Sequence, residues 1–264
     1  MAGNTVLAVR YGHRVTSHGE MYLNYPLYGE PDADLDIAYY FWVIRDGDRV
    51  TLVDTGFAPA VGARRGRSQH ATPARALAAL GIDPSDVGTV VITHAHWDHI
   101  GNIGVFPGAE LVLTEAEYAF WTSPMAARAH FAAHCEAAEI AQLRQAREQG
   151  RVTLFSGQRA LAPGVELVEV GGHTPGQLIV VAATAQGGTA VLASDALHFY
   201  AEAERDRPFA IVADLPAMYR GYDLLNELAR QPGTHLVAGH DPLVSERFAA
   251  HPAGPDVADL GAPR

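Results

Sequence analysis

The sequence predicts a single α/β domain over residues 1–264, and three observations carry that reading. Short runs of β-branched and apolar residues, bounded by Gly, Asp or Pro, recur along the whole chain, as buried strands do. Ala- and Leu-rich segments with helix start and stop signals lie between them. Apolar residues make up 48% and charged residues 19% of 264 positions, which is a globular composition with ample material for a core and no linker to divide it.

In chain order, Thr5 to Val9 reads as a first strand. Tyr11 to Asp36 reads as a loop carrying Met21, Tyr22, Tyr25 and Tyr28, and connections of that length often act as lids or binding loops. Its His13 and His18 have no metal-ligand company and read as structural. Ala38 to Ile44 and Val50 to Val53 form strands joined at Asp46-Gly47-Asp48, a strong hairpin signal. Asp54 then opens a turn, and Arg64-Arg65-Gly66-Arg67 reads as a solvated basic loop, with contact to an anionic substrate as the alternative. Thr72 caps a helix entered through Pro73, running to about Leu80 and ended by Gly81. Thr89 to Thr93 is a buried strand, Glu110 to Leu113 another, and Glu115 to Trp121 a short helix.

Met125 to Gln149 predicts one long Ala-rich helix closed by Gly150. His130 and His134 share a face of it, but no Glu sits between them in the metalloprotease manner, so they read as ordinary helix residues. Cys135 reads as a small buried filler rather than a nucleophile. Strands follow at Val152 to Phe155, Val165 to Val170, Leu178 to Ala183 and Ala190 to Ala193, then a helix from Leu215 to Ala229 and a last strand, His235 to Ala238. The tail from Pro252, covering 252–264, reads as irregular.

Charge and cysteine use narrow the function. A net charge of −11 disfavours a nucleic-acid partner, because such proteins concentrate Lys and Arg to neutralise phosphates. No run approaches the roughly 18 apolar residues of a membrane span, and Val6-Leu7-Ala8-Val9 is too short for a signal peptide. Cys135 is the only cysteine, so no intrachain disulfide forms. The expectation is a soluble, cytoplasmic protein acting on a small molecule, with a homodimer contact left open.

The chemistry concentrates in His94-Ala95-His96-Trp97-Asp98-His99, which follows the strand Thr89 to Thr93 and precedes Gly101. Three imidazoles and a carboxylate at one strand end can aim at one point, and together they suit a borderline cation such as zinc. Further pieces follow in order: Asp54-Thr55-Gly56, Gly171-Gly172-His173-Thr174-Pro175-Gly176, Ala193-Ser194-Asp195-Ala196, and Gly239-His240-Asp241.

These five segments resemble the metallo-β-lactamase superfamily, whose signature is H-x-H-x-D-H, and the resemblance covers nearly the whole chain. It implies an αββα sandwich of two mixed sheets flanked by helices. It also implies two Zn2+ ions, with iron, manganese or cobalt as alternatives. His94, His96 and His173 would hold the first and Asp98, His99 and His240 the second, with Asp195 bridging and Asp54 supporting the ligands. A hydroxide shared by the metals would attack a carbonyl, and Asp98 would steer it and carry a proton. Within the superfamily the chain looks most like the N-acyl homoserine lactonase group, which implies opening of a lactone ring. One departure stands out. Those lactonases carry a substrate-contacting Tyr three residues after the bridging Asp, where this chain has His198, with Tyr200 two residues further on. His198 is therefore a candidate catalytic residue beside Asp98. The alternatives are hydrolysis of another small ester, thioester or cyclic amide, a mononuclear iron persulfide dioxygenase, and a metal-stabilised binding protein.

Overall fold

The computed structural model describes residues 3–264. The chain begins with β1 (Thr5–Ser17), β2 (Asp34–Asp46), β3 (Arg49–Val53), β4 (Ser68–Gln69), β5 (Val87–Val91), β6 (Glu110–Thr114) and β7 (Val152–Phe155). It crosses to a second sheet as β8 (Gln158–Ala162), β9 (Val165–Glu169), β10 (Leu178–Ala183), β11 (Thr189–Ser194) and β12 (Thr234–Ala238). It returns to the first as β13 (Phe248–Ala250) and β14 (Val257–Pro263). The first sheet runs β13-β14-β1-β2-β3-β5-β6-β7 with β4 on β1, and the second runs β12-β11-β10-β9-β8. Parallel pairs (β3 to β7 in the first sheet, β11–β12 in the second) sit beside antiparallel ones, so both sheets are mixed. Helices at Pro73–Ala79, Glu115–Trp121 and Ala137–Glu148 lie against the first sheet, and Leu215–Ala229 lies against the second. This is the αββα sandwich that the resemblance implied.

Why these residues make this sandwich is clearest in β2. Ala38 to Ile44 are all buried, so the strand is apolar on both faces, as a strand covered on both sides must be. One continuous core joins it to β5, β10 and β11. The Gly47-Asp48 turn holds the β2–β3 hairpin in register, with Asp46 opposite Arg49. No helix among the described residues is long and apolar enough to cross a membrane.

Three expectations are corrected. Tyr11 to Asp36 is not a loop: β1 continues to Ser17 and β2 starts at Asp34, pairing as Ser17 with Asp34, around short helical turns at His18–Met21 and Tyr25–Tyr28. Its aromatics are part of the core, with Tyr11, Tyr22 and Tyr25 buried; the alternation is blurred because His13 and Val15 face solvent. The helix from Met125 to Gln149 is broken into turns at Pro124–Ala127 and Ala129–Ala132 and a helix at Ala137–Glu148. Arg128 and Glu136 are extended there, the His134 carbonyl accepts the Trp97 N–H at 3.1 Å, and the Glu136 carboxylate is taken by Arg64 and Arg65. Tertiary partners thus override a strong helix propensity. The tail from Pro252 is not irregular either: Val257–Pro263 pairs with β1, Leu7 opposite Asp259, and Leu260 is fully buried. The strand β8 was not foreseen.

Candidate metal centre

Each candidate donor follows the end of a strand. The His94 to His99 segment follows β5, His173 follows β9, Asp195 follows β11 and His240 follows β12. Strand ends of a mixed sandwich face one edge, so four separated donor segments converge there. Two non-glycine residues take left-handed backbone at this edge, Asp54 (φ 62°) and Ser194 (φ 46°), a sparsely populated conformation held by its surroundings. Gly101 is required by close approach, since a Cβ there would sit 2.6 Å from the Ala58 nitrogen and 2.8 Å from the Phe57 Cα.

The donors form two sets. His94, His96, His173 and Asp195 offer atoms within 4.8 Å of one another, and so do Asp98, His99 and His240. His96 Nδ1 lies 3.1 Å from His94 Nε2 and 2.9 Å from His173 Nε2. Asp195 divides its carboxylate between the sets. Its Oδ2 is 3.5 Å from His94 Nε2 and 3.3 Å from His173 Nε2, while its Oδ1 is 3.2 Å from His99 Nε2 and 3.1 Å from His240 Nε2. Asp98 is 3.9 Å from both His99 Nε2 and His240 Nε2, and it alone of the seven is not fully buried.

Backbone and carboxylate partners orient the rings. His99 Nδ1–H donates to Asp54 Oδ2 at 2.7 Å, His173 Nδ1–H to the Ile211 carbonyl at 2.8 Å, and His240 Nδ1–H to the Ala38 carbonyl at 2.8 Å. Each bond fixes the proton on Nδ1 and turns the Nε2 lone pair toward the centre, as metal-ligating imidazoles require. Asp54 also accepts from the Thr93 N–H at 2.8 Å and the Thr93 hydroxyl at 2.7 Å, and is fully buried. Tyr11 donates to the Asp98 carbonyl at 3.0 Å.

The residues fit a pair of cations. Asp195 Oδ1 and His99 Nε2 are buried and have no hydrogen-bond partner, so acceptor atoms meet at this point with nothing of the protein to satisfy them. Burial holds His94, His96 and His173 well below the usual imidazole range, hence neutral, the form that binds metal. For His99, burial pulls the same way but the Asp195, Asp54 and Asp98 carboxylates outweigh it and raise it well above that range. Positive charge is favoured here, and a cation supplies it as well as a proton does.

His198 is brought to the same point. Its ring stacks on Phe209 with centroids 3.5 Å apart, its Nδ1 lies 3.3 Å from Glu202 Oε1, and its Nε2 lies 3.1 Å from Asp195 Oδ2 without hydrogen-bond geometry. Burial opposes its protonation, but Asp195 and Glu202 prevail and push it up to about 9. Tyr200 is turned away, its hydroxyl donating to the Leu236 carbonyl at 3.2 Å under Arg247. His13 stacks on His70, and His18 packs against Tyr22 and Tyr25. His130 is not among the residues whose donor atoms gather there, and the His134 ring lies 5.5 Å from that of His96. Burial pushes the half-buried Cys135 thiol up to about 11, against any role as a nucleophile.

Five of the seven donors, His96, Asp98, His173, Asp195 and His240, line a cleft of about 260 Å³ with apolar walls from Met21, Ile37, Phe199, Phe209 and Ile211. Arg14, Arg65 and Arg67 also line it, which corrects the reading of the basic run as a solvated loop. Sequence reasoning missed Glu117 as well. This fully buried carboxylate accepts from the Ala95 N–H at 2.7 Å, the Trp121 Nε1–H at 2.6 Å, the Thr174 hydroxyl at 2.7 Å and the Gly176 N–H at 3.0 Å. It ties the His94 to His99 loop to the His173 loop. Gly176 permits this, since a Cβ there would lie 2.1 Å from the Glu117 nitrogen.

Known proteins share this fold. A solved N-acyl homoserine lactone hydrolase with the product N-hexanoyl-L-homoserine bound at its catalytic metal centre superposes with a TM-score of 0.75 at 20% identity, over 96% of this chain and 99% of that one. The likeness shows a shared fold. The N-acyl homoserine lactonase AiiB of Agrobacterium fabrum is 28% identical over 232 residues, 82% of this chain and 83% of that protein. An N-acyl homoserine lactonase of a Bacillus species is 23% identical over 194 residues, 68% of this chain and 72% of that protein. The model of the metallo-β-lactamase superfamily matches residues 37–240, from β2 through the last candidate donor, and the chain belongs to that superfamily.

Proposed function

We propose that the chain is a divalent-metal hydrolase that opens the ring of a small lactone. The observation that carries the reading is the Asp195 carboxylate, whose two oxygens are divided between two donor sets at the floor of one cleft. His94, His96 and His173 would hold one ion and Asp98, His99 and His240 the second, with Asp195 serving both. Zinc suits this mixture of imidazole and carboxylate. Ions held there would supply Lewis acidity toward a carbonyl and a hydroxide at neutral pH.

The chain's own side chains do the rest. The apolar walls seat the substrate and exclude water, which strengthens every electrostatic contact inside. Asp98, the one partly exposed donor, faces the cleft and is placed to orient the attacking water and take its proton. His198, braced by Glu202 and Phe209, presents Nε2 beside Asp195, where it donates to the ring oxygen as that oxygen leaves. Kinship with the N-acyl homoserine lactonases supports a lactone as the bond cleaved. The cleft is small beside the roughly 300–1,000 Å³ of sites for drug-sized ligands, which suits a compact ring. One observation favours a second reading, hydrolysis of another small ester, thioester or cyclic amide: an imidazole, not a phenol, stands at position 198.

Proton release by the metal-loaded protein in weak buffer, across lactones, cyclic amides, thioesters and aryl esters, tests the reading. Fast acid release confined to lactones is the expected result. Turnover of thioesters or amides with silence on lactones would replace it by the second reading. Silence throughout, with bound iron and oxygen uptake on a persulfide, would contradict both. His198→Ala should lower turnover about 100-fold with metal content retained; unchanged kinetics would make His198 a bystander.

A further inference from the structure

The cleft of this acidic chain, net charge −11, is lined by three arginines, and they are not equivalent. Arg65 is fully engaged: Nε and Nη2 donate to Glu136 at 3.1 and 2.9 Å, and Nη1 donates to the Ala133 carbonyl at 3.0 Å. Arg14 is paired with Glu20 at 2.6 Å. Arg67 has no carboxylate within 4.0 Å among the described residues. One Nη donates to the Arg65 carbonyl, and its Nε is buried without a partner. Arg67 is therefore the arginine of this cleft that no carboxylate neutralises.

Its position is built rather than incidental. β4, directly after it, pairs with β1 (Gly12 with Gln69, His13 with Ser68), which pins the backbone beside the cleft. Its guanidinium lies 5.6 Å over the Trp97 ring, next to Arg65 at 4.8 Å. Trp97 stands between the candidate donors His96 and Asp98, so the guanidinium sits at the edge of the proposed reaction centre. A neutral acyl amide offers a half-buried guanidinium one carbonyl oxygen and no charge. A carboxylate offers more, since it is anionic and accepts two parallel N–H bonds from the planar fork.

Resting on the hydrolase reading above, we propose that Arg67 anchors a carboxylate carried by the substrate, so that the class acted on is a small lactone with a carboxylate on or beside its ring. The reaction is hydrolysis. Water oxygen bonds to the ring carbonyl carbon, the bond from that carbon to the ring oxygen breaks, the ring oxygen leaves as a hydroxyl, and the new acid releases one proton.

The probes are γ-butyrolactone-γ-carboxylate and its N-methylamide, given to the metal-loaded protein, with proton release as readout. The wild type should favour the acid by at least about tenfold in kcat/KM, the scale of one charged hydrogen-bonding contact. Arg67→Ala should erase that preference, Arg67→Lys should restore part of it, and 1 M salt, on the order of a 3 Å screening length, should narrow it. Equal rates for acid and amide in the wild type, or an equal slowing of both in Arg67→Ala, would overturn the proposal and leave Arg67 as a prop on Trp97. Calorimetry with the ring-opened product, 2-hydroxyglutarate, separates this from the parent reading. Arg67-dependent binding without turnover of either probe would sink lactone hydrolysis and keep the anion site. Binding that ignores Arg67→Ala would sink the anion site alone.

Discussion

Two buried carboxylates, Asp54 and Glu117, support the candidate metal centre, and they do it differently. Asp54, at the end of β3, touches a proposed ligand directly by accepting the His99 Nδ1–H at 2.7 Å. Glu117, on the helix Glu115–Trp121, touches no candidate ligand side chain; its partners are two backbone N–H groups, a hydroxyl and an indole. Asp54 therefore sets the basicity and tautomer of an imidazole, whereas Glu117 sets where two loops lie. The first controls affinity for the cation and the second controls the rigidity of the scaffold that presents it.

Substitutions that change charge but not shape should separate these roles. Asp54→Asn keeps the volume but sets an amide NH2 against the His99 and Thr93 donors, so metal affinity should fall by about 10- to 100-fold alongside a stability loss of about 1–3 kcal/mol. Competition with a fluorescent chelator checks this; unchanged affinity would make Asp54 a packing residue. Glu117→Gln sets an amide NH2 against N–H donors and should cost about 2 kcal/mol of stability, with metal affinity changed less than in Asp54→Asn. Chemical unfolding checks it, and a larger loss of metal than of stability would erase the distinction.

A third carboxylate sharpens the comparison. Glu139 is 4% exposed, and neither of its oxygens has a partner. Burial, aided by Glu136, pushes its carboxyl up from 4.5 to about 8. The unfolded chain gives up this proton near pH 4.5 and the folded chain keeps it to about pH 8, so this group's contribution to stability falls as pH rises through that window. Glu139→Gln should flatten that fall and add about 1–2 kcal/mol at pH 8. Equal stability of the two proteins at pH 5 and pH 8 would show that Glu139 ionises normally.

What was legible in the sequence follows from the same contrast. The five segments ending strands, from Asp54 to His240, could be read because each packs its donors into a few consecutive residues after an apolar run. Glu117 could not, because its partners lie 22 residues before it and 57 and 59 residues after it. Arg67 looked like a solvated charge because its place in the cleft depends on β4 pairing with β1. The misread helix at Met125 to Gln149 failed for a related reason: local propensity was right, but Trp97, Arg64 and Arg65 claim groups in its middle. The tail and the Tyr11 to Asp36 stretch were underread because strand pairing, not a run of apolar residues, orders them.

The central claim is that Asp195 joins two donor sets into one dinuclear centre. Metal content per folded chain, measured by elemental analysis after removal of loosely held ions, tests it most directly. Wild-type protein should hold about two divalent ions per chain and Asp195→Asn fewer than one, because the amide removes the charge both sets share. A single ion in the wild type, or two ions retained by Asp195→Asn, would contradict it.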